Sequence, residues 1–216
     1  VLGTENLYLA LAELDQPDAI RIVQAGTAAI YGHVGAYELP VSENNPPRPC
    51  TAYAISKTAQ DHLAVMFGGK LRLRIIRTRI FNMLGPGQPR HLVPATFIDQ
   101  VRKRQDNEPL RVGNLSARRD FVDVRDVAHA FDCLLESGQA GRPYNIGSGA
   151  SVSIGDVLGG VVCLSGVTDV TITEDTTRIR HNDVPDIYAD TTAIASDTGW
   201  RAKIPVAESL LAMWNS

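Results

Sequence analysis

Strands that alternate with long helices place this chain in the α/β class, with a parallel sheet and, toward the C-terminus, a smaller and more broken α/β lobe. Three observations carry that reading. Short β-branched runs such as Ile20–Ala25 have the pattern of buried strands. Segments with apolar residues at three- and four-residue spacing follow them. Clusters of Gly, Pro and Asn separate the two kinds of segment.

The elements follow in order. Gly3–Leu14 carries Leu7, Leu9, Ala10, Leu11 and Leu14 among good helix formers, and reads as a helix ending before Pro17. Ile20–Ala25 is a strand. Pro40–Pro49 is too rich in proline for a helix or a central strand and reads as a loop. Thr51 opens a long helix to about Phe67, where Gly68-Gly69 is expected to stop it. Leu71–Ile80 is a strand, Leu84–Pro89 a turn, Val93–Arg104 a helix and Leu110–Val112 a strand. Val124–Glu136 has an apolar stripe at Val127, Ala128, Phe131, Leu134 and Leu135 and is a helix. Tyr144–Ile146 is a strand. Ile154–Leu164 is a helix capped by Ser151 or Ser153, and Val170–Thr173 is a strand. A short helix from Thr191, then Gly199-Trp200, then a last helix from Val206 complete the chain.

Composition narrows the function classes. A length of 216 residues holds one or two domains, and 44% hydrophobic with 21% charged residues is ordinary for a globular chain. A net charge of −3 speaks against a general nucleic-acid binder. That average hides a basic middle: Lys70–Arg119 has twelve Lys/Arg against three Asp/Glu. Such a segment in an acidic chain suits a compact polyanion such as a diphosphate; the bland reading is a solvated face. Cys50, Cys133 and Cys163 are odd in number and far apart, which fits a reducing, cytoplasmic setting. No apolar run approaches the roughly 18 residues of a membrane span, and the five His show no metal-ligand spacing.

The chemistry concentrates early. Tyr53-Ala-Ile-Ser-Lys57 opens the long helix, and a four-residue step puts phenol and ammonium on one face. An ammonium beside a phenol favours the phenolate, which makes the phenol a usable general acid or base. Alone, the pair is as well explained by an amphipathic helix. Its context is Ala25-Gly26-Thr27-Ala-Ala-Ile-Tyr31-Gly32, which puts a hydroxyl just past the end of a parallel strand, where α/β folds bind ligands. In isolation Thr27 would read as a turn or capping residue.

These blocks together resemble the extended short-chain dehydrogenase/reductase family, in its nucleotide-sugar branch. The order here is Thr27, Tyr31-Gly32, the Pro-rich loop, Tyr53-x-x-x-Lys57, Arg79-Ile-Phe81-Asn82, Gly85-Pro-Gly-Gln88, Asn145-Ile-Gly147 and Gly199-Trp200. Arg111-Val-Gly113-Asn114 through Arg119-Asp120-Phe121 to Asp126, and Arg178-Ile-Arg180-His-Asn-Asp183-Val-Pro185, are similar to the pattern of the family's GDP-sugar enzymes.

The resemblance implies a partial Rossmann fold, part of a doubly wound parallel sheet. Residues 1–83 would be the second half of a dinucleotide-binding domain and residues 84–216 the nucleotide-sugar lobe, with some segments returning to the sheet. It implies reduction of the 4-keto group of a GDP-6-deoxy-hexose, of the type that yields GDP-D-rhamnose. NADP(H) would be the cofactor, with NAD(H) as the alternative. Thr27, Tyr53 and Lys57 would be catalytic. Ala25, Gly26, Tyr53, Lys57, Arg79 and Ile80 would hold the cofactor, and Asn82, Arg111, Asn114, Arg119, Arg180 and Asp183 the substrate. Partners are then a nucleotide-diphosphate sugar and, in the full-length protein, a second copy of itself. The helix of Tyr53 and the one before it would pair across a dimer, with Leu63, Met66 and Phe67 as apolar contacts or else as core.

Two negatives refine this. Related 4,6-dehydratases carry a carboxylate where Ala28-Ala29 stand, and alanine has no proton to exchange, so water elimination is disfavoured. A 4-epimerase, which uses the same residues, is the nearest rival. Gly147-Ser-Gly149 follows a strand, but Val152 stands where a dinucleotide fingerprint needs its third glycine. The family layout then leads us to expect about 80–90 further N-terminal residues with that fingerprint. Without them the chain would be a nucleotide-sugar binder incomplete for catalysis.

Overall fold

A computed structural model describes residues 1–105, 108–178 and 184–216. In chain order its first elements are α1 (Leu2–Ala12), β1 (Arg21–Gln24), α2 (Ala52–Leu71), β2 (Arg74–Ile80), β3 (Asn82–Leu84), α3 (Val93–Lys103) and β4 (Leu110–Val112). There follow β5 (Arg118–Arg119), β6 (Phe121–Asp123), α4 (Val124–Ser137), β7 (Pro143–Ile146), β8 (Val152–Ser153) and α5 (Ile154–Ser165). The last are β9 (Ile172–Glu174), β10 (Asp186–Ile187), α6 (Thr192–Thr198) and α7 (Val206–Trp214).

β1, β2 and β7 form a parallel sheet in that order, with Gln24 opposite Arg77 and Ile80 opposite Ile146. Both faces are covered, as parallel sheets require. The two-residue period of β2 sends alternate side chains to opposite faces. Ile75 joins Tyr8 of α1 and Ala64 and Phe67 of α2. Ile76 and Ile80 join Val127, Ala130 and Leu134 of α4, Ile194 of α6 and Trp200. A second core fills the other lobe, where Phe97, Val101, Val157, Val161, Leu210 and Met213 of α3, α5 and α7 meet Leu110 and Phe121. There β3 pairs with β6 and β4 with β9, all parallel, while β5 lies between β10 and β8. The carboxyl ends of β1, β2 and β7 share one edge of the main sheet and release Ala25–Thr27, Phe81–Asn82 and Gly147–Ser148 there.

Several expectations need correction. Gly68-Gly69 does not stop α2, which runs on to Leu71 and ends at Arg72 in a left-handed conformation, φ 58°. Burial of Phe67 and packing of Leu71 against the same core outweigh the low helix propensity of two glycines. Phe67 and Leu63 are core, while Met66 stays exposed. Of the two cap candidates Ser153 is the cap, in a reciprocal box with Asp156. The strand expected from Val170 begins at Ile172. The Pro-rich loop is irregular apart from a bridge between Val41 and Ala189. No helix among the described residues is long and apolar enough to cross a membrane.

Candidate active site

The turn after β1 is shaped by a residue without a side chain. A Cβ on Gly26 would lie 1.9 Å from the carbonyl oxygen of Thr78, so only glycine lets the chain pass so close to β2. Its N–H donates to Thr78 Oγ1 (3.2 Å), and that hydroxyl donates to the Gln24 carbonyl (2.8 Å). Thr27 comes next and caps the 3-10 turn Ala28–Tyr31, its Oγ1 accepting from the Ala29 N–H at 3.2 Å. Capping uses one lone pair and leaves the hydroxyl proton to donate elsewhere.

α2 packs against that turn and brings Tyr53 and Lys57 to it. Thr51 caps α2 by accepting from the Ala54 N–H at 3.1 Å. Tyr53, in the first turn, is 56% exposed. Lys57 is half-buried, and desolvation lowers its pKa. Its Nζ donates to the Ala25 carbonyl (3.0 Å) and to Gln60 Oε1 (2.9 Å), which leaves one of three N–H bonds for a ligand. A phenol and an ammonium at the carboxyl ends of parallel strands, beside a glycine that clears the approach, fit the nicotinamide-ribose end of a dinucleotide.

Two residues expected at the cofactor, Ile80 through its backbone, have side chains engaged within the fold. Ile80 is 6% exposed and packs in the core beneath the sheet. Arg79 is 5% exposed. Its guanidinium donates to the Tyr31 hydroxyl (3.0 Å), the Glu43 carbonyl (2.9 Å) and Asp61 Oδ2 (3.3 Å). Neither side chain lies at the open edge, because both belong to a strand covered on both faces.

Four residues expected at the substrate do converge. Asn82, Arg111, Asn114 and Arg119 line one cavity of about 390 Å³ between β3, α3 and β4. Asn82 Nδ2 and its backbone N–H both donate to the Asp120 carbonyl, each at 3.1 Å. Asn114 Oδ1 accepts from the N–H and hydroxyl of Ser116, which holds its loop. Arg119 donates to the Val184 carbonyl. Arg111 is exposed, and its guanidinium makes no hydrogen bond or ion pair with the described residues. Arg180 and Asp183 lie outside the described residues.

The basic segment is less concentrated than its charge count suggests. Of its twelve cations, only Arg111 and Arg119 line this cavity. Arg77 and Arg79 pair with Asp61, Arg72 with Asp18, and Arg90 and Lys103 with Asp99.

The cavity also takes in Met83, Gln88, His91, Leu92, Phe97 and Arg178, none of which the sequence reading assigned. Gln88 and Arg178 sit inside quoted motifs and so carried a signal; the apolar wall carried none. Asp120 was also missed. Fully buried, it accepts from the N–H and hydroxyl of Ser148 (2.6 and 2.7 Å), from Gly149 N–H (3.1 Å) and from Ala189 N–H (3.0 Å). Burial pushes its pKa up against those bonds. Among the described residues no cluster of His, Cys, Asp and Glu could hold a metal ion.

The profile of the GDP-mannose 4,6-dehydratase family matches residues 1–213. The GDP-6-deoxy-D-mannose reductase of Pseudomonas aeruginosa is 31% identical over the whole chain, which spans 72% of that protein. The GDP-6-deoxy-D-talose 4-dehydrogenase of Aggregatibacter actinomycetemcomitans is 27% identical over 92% of the chain, which spans 65% of it. The structure of RMD from Pseudomonas aeruginosa complexed with NADPH superposes over the whole chain and 71% of that protein. Its TM-score is 0.89 and its identity 30%.

Proposed function

Because the chain belongs to the GDP-mannose 4,6-dehydratase family, within the extended short-chain dehydrogenase/reductase fold, we propose that it carries the reducing site of a nucleotide-sugar oxidoreductase. The substrate would be a GDP-linked 4-keto-6-deoxy-hexose, and NADPH the preferred cofactor. What supports this reading is the Lys57 ammonium bonded to the Ala25 carbonyl, two residues before the capping hydroxyl of Thr27, with Tyr53 one helical turn before Lys57 on α2. Asn82, two residues past the end of β2, lines the basic, apolar-walled cavity.

The nicotinamide supplies a hydride when bound. Lys57 and Tyr53 would hold the ribose beside it. Thr27 would donate its free proton to the C4 oxygen and orient the carbonyl. Tyr53 would protonate that oxygen as the alkoxide develops, and Lys57 would stabilise the phenolate left behind. Arg111 and Arg119, with Arg180, would pair with the diphosphate, which guanidinium forks suit, and Asp183 would accept from a sugar or ribose hydroxyl. The residues that follow Thr27 are alanines, so no carboxylate stands there to carry protons for water elimination.

In the full-length protein, Tyr53→Phe should lower turnover by about 10²–10⁴-fold with GDP-sugar affinity little changed, as loss of a general acid does. Steady-state kinetics with the keto-sugar nucleotide check this, and near-normal turnover would sink the assignment. Stoichiometric consumption of NADPH separates reduction from 4-epimerisation, in which the cofactor is returned. Pairing of two copies belongs to the same reading. Leu2, Leu7 and Leu9 of α1 and Val65 and Met66 of α2 are exposed, and sedimentation should show a dimer.

A further inference from the structure

Arg79 is a buried cation on the α2 face of the sheet, and its contacts reach both segments that carry the proposed reacting groups. Arg77 and Arg79 lie two residues apart on β2, with Ile75, and so face α2. On α2, Tyr53, Lys57 and Asp61 follow one another at four-residue steps and so share a face. Asp61 is 5% exposed and accepts from Arg77 Nη1 at 2.8 Å and from Arg79 Nη2 at 3.3 Å. The other end of the Arg79 fork holds the Thr27 side. Nη1 donates to the hydroxyl of Tyr31, four residues after Thr27, and the guanidinium lies over the Tyr31 ring, 5.2 Å from its centre. Burial pushes the Tyr31 pKa up to about 12, so the phenol keeps its proton and donates it to Asn145 Oδ1 at 2.7 Å. The same Nη1 donates to the carbonyl of Glu43 in the Pro-rich loop.

We propose that Arg79 is a positioning residue: through Asp61 and Tyr31 it sets the Tyr53–Lys57 face of α2 against the Thr27 turn. The proposal rests on the reading of Thr27, Tyr53 and Lys57 as the reacting set. A buried ion pair is a weak source of stability but can fix register. The stability contribution is further separable here, because Arg77 still neutralises Asp61 when Arg79 is replaced. Only a planar fork spans Asp61, Tyr31 and Glu43 at once; a lysine ammonium is a single point.

The test compares Arg79→Lys, Arg79→Met and Tyr31→Phe in the full-length protein, with Tyr53→Phe in parallel. Arg79→Lys should fold with a near-normal melting temperature. Its kcat should fall about 10–100-fold, the scale of a small misplacement of reacting groups. KM for the keto-sugar nucleotide should stay within about threefold, and the pH at which kcat falls should move, because the Tyr53–Lys57–Thr27 geometry has changed. Tyr31→Phe should shift the same quantities in the same direction and by less. A readout without turnover is amide hydrogen exchange, which should quicken at Ala54–Lys57 in Arg79→Met and stay unchanged near Phe67.

A folded Arg79→Lys with wild-type kcat and pH profile overturns the proposal. So does a loss of kcat matched by loss of folded protein with the pH profile unmoved. If neither Arg79 variant folds, Tyr31→Phe decides, and an unchanged kcat and pH profile there overturns it. Normal turnover in Tyr53→Phe would strike the function reading itself. An inactive Tyr53→Phe beside a normal Arg79→Lys would strike only the positioning role.

Discussion

Glu43 shows how single residues brace the site without touching a ligand. It sits in the Pro-rich loop, and its Oε1 accepts from the Asn145 N–H at 2.7 Å. Burial is the largest influence on its carboxyl and raises the pKa above the ordinary 4.5. The fold therefore favours the protonated form. The stability tied to this group is full below about pH 4.5 and is lost as pH rises through the raised value. Glu43→Gln keeps an acceptor for Asn145 and cannot ionise. Its melting temperature relative to the parent should climb between pH 4 and pH 7. A flat difference across that range, read by thermal scans of both proteins, would show that Glu43 is not held in a costly charged state.

At the scale of elements, α2 carries the clearest surplus cost. Gly69 is exposed in its last turns, and a Cβ there would meet nothing within 4 Å. Gly69→Ala should stabilise the protein by about 0.5–1 kcal/mol, because alanine loses less backbone freedom in a helix than glycine does. Urea titration checks it, and a loss of stability would mean that the helix end needs the glycine. The same helix shows what was legible in the sequence. Long periodic segments were, because a 20-residue helix repeats its apolar pattern many times. The early motifs were, because each has a local spacing. The end of α2 was not, because tertiary burial of Phe67 overrides a two-glycine signal. β3, β5, β6, β8 and β10 were not; two or three residues carry no period, and of strands that short only β4 and β9 stood out in the sequence. The partners of Arg79 were not legible for another reason. Its place in a motif is visible, but the face of β2 on which it falls depends on α2 lying above.

At the scale of the molecule, the question is what joins the apolar clusters around the main sheet to the core between α3, α5 and α7. The structure gives Asp120 a large share of that work. Its N–H donates to the Ile187 carbonyl at 3.0 Å, and its carbonyl receives Asn82. Its carboxylate gathers the N–H groups of Ser148, Gly149 and Ala189. One residue thus ties the exits of β2, β7 and β10 to the start of β6. Asp120→Asn would turn an amide NH₂ toward those donors, at about 1–3 kcal/mol for each group left unpaired. The two tryptophans report on the two cores separately. Trp200 is buried beneath the main sheet, and Trp214 ends α7 against the second core. With Trp200→Phe or Trp214→Phe isolating one reporter, both midpoints in urea should coincide in the parent. They should separate once Asp120→Asn is added, since the polar tie between the cores is then cut. Coincident midpoints in the Asp120 variant would assign the coupling to apolar contacts across the lobes, where Val122 of β6 packs beside Ile80 of β2.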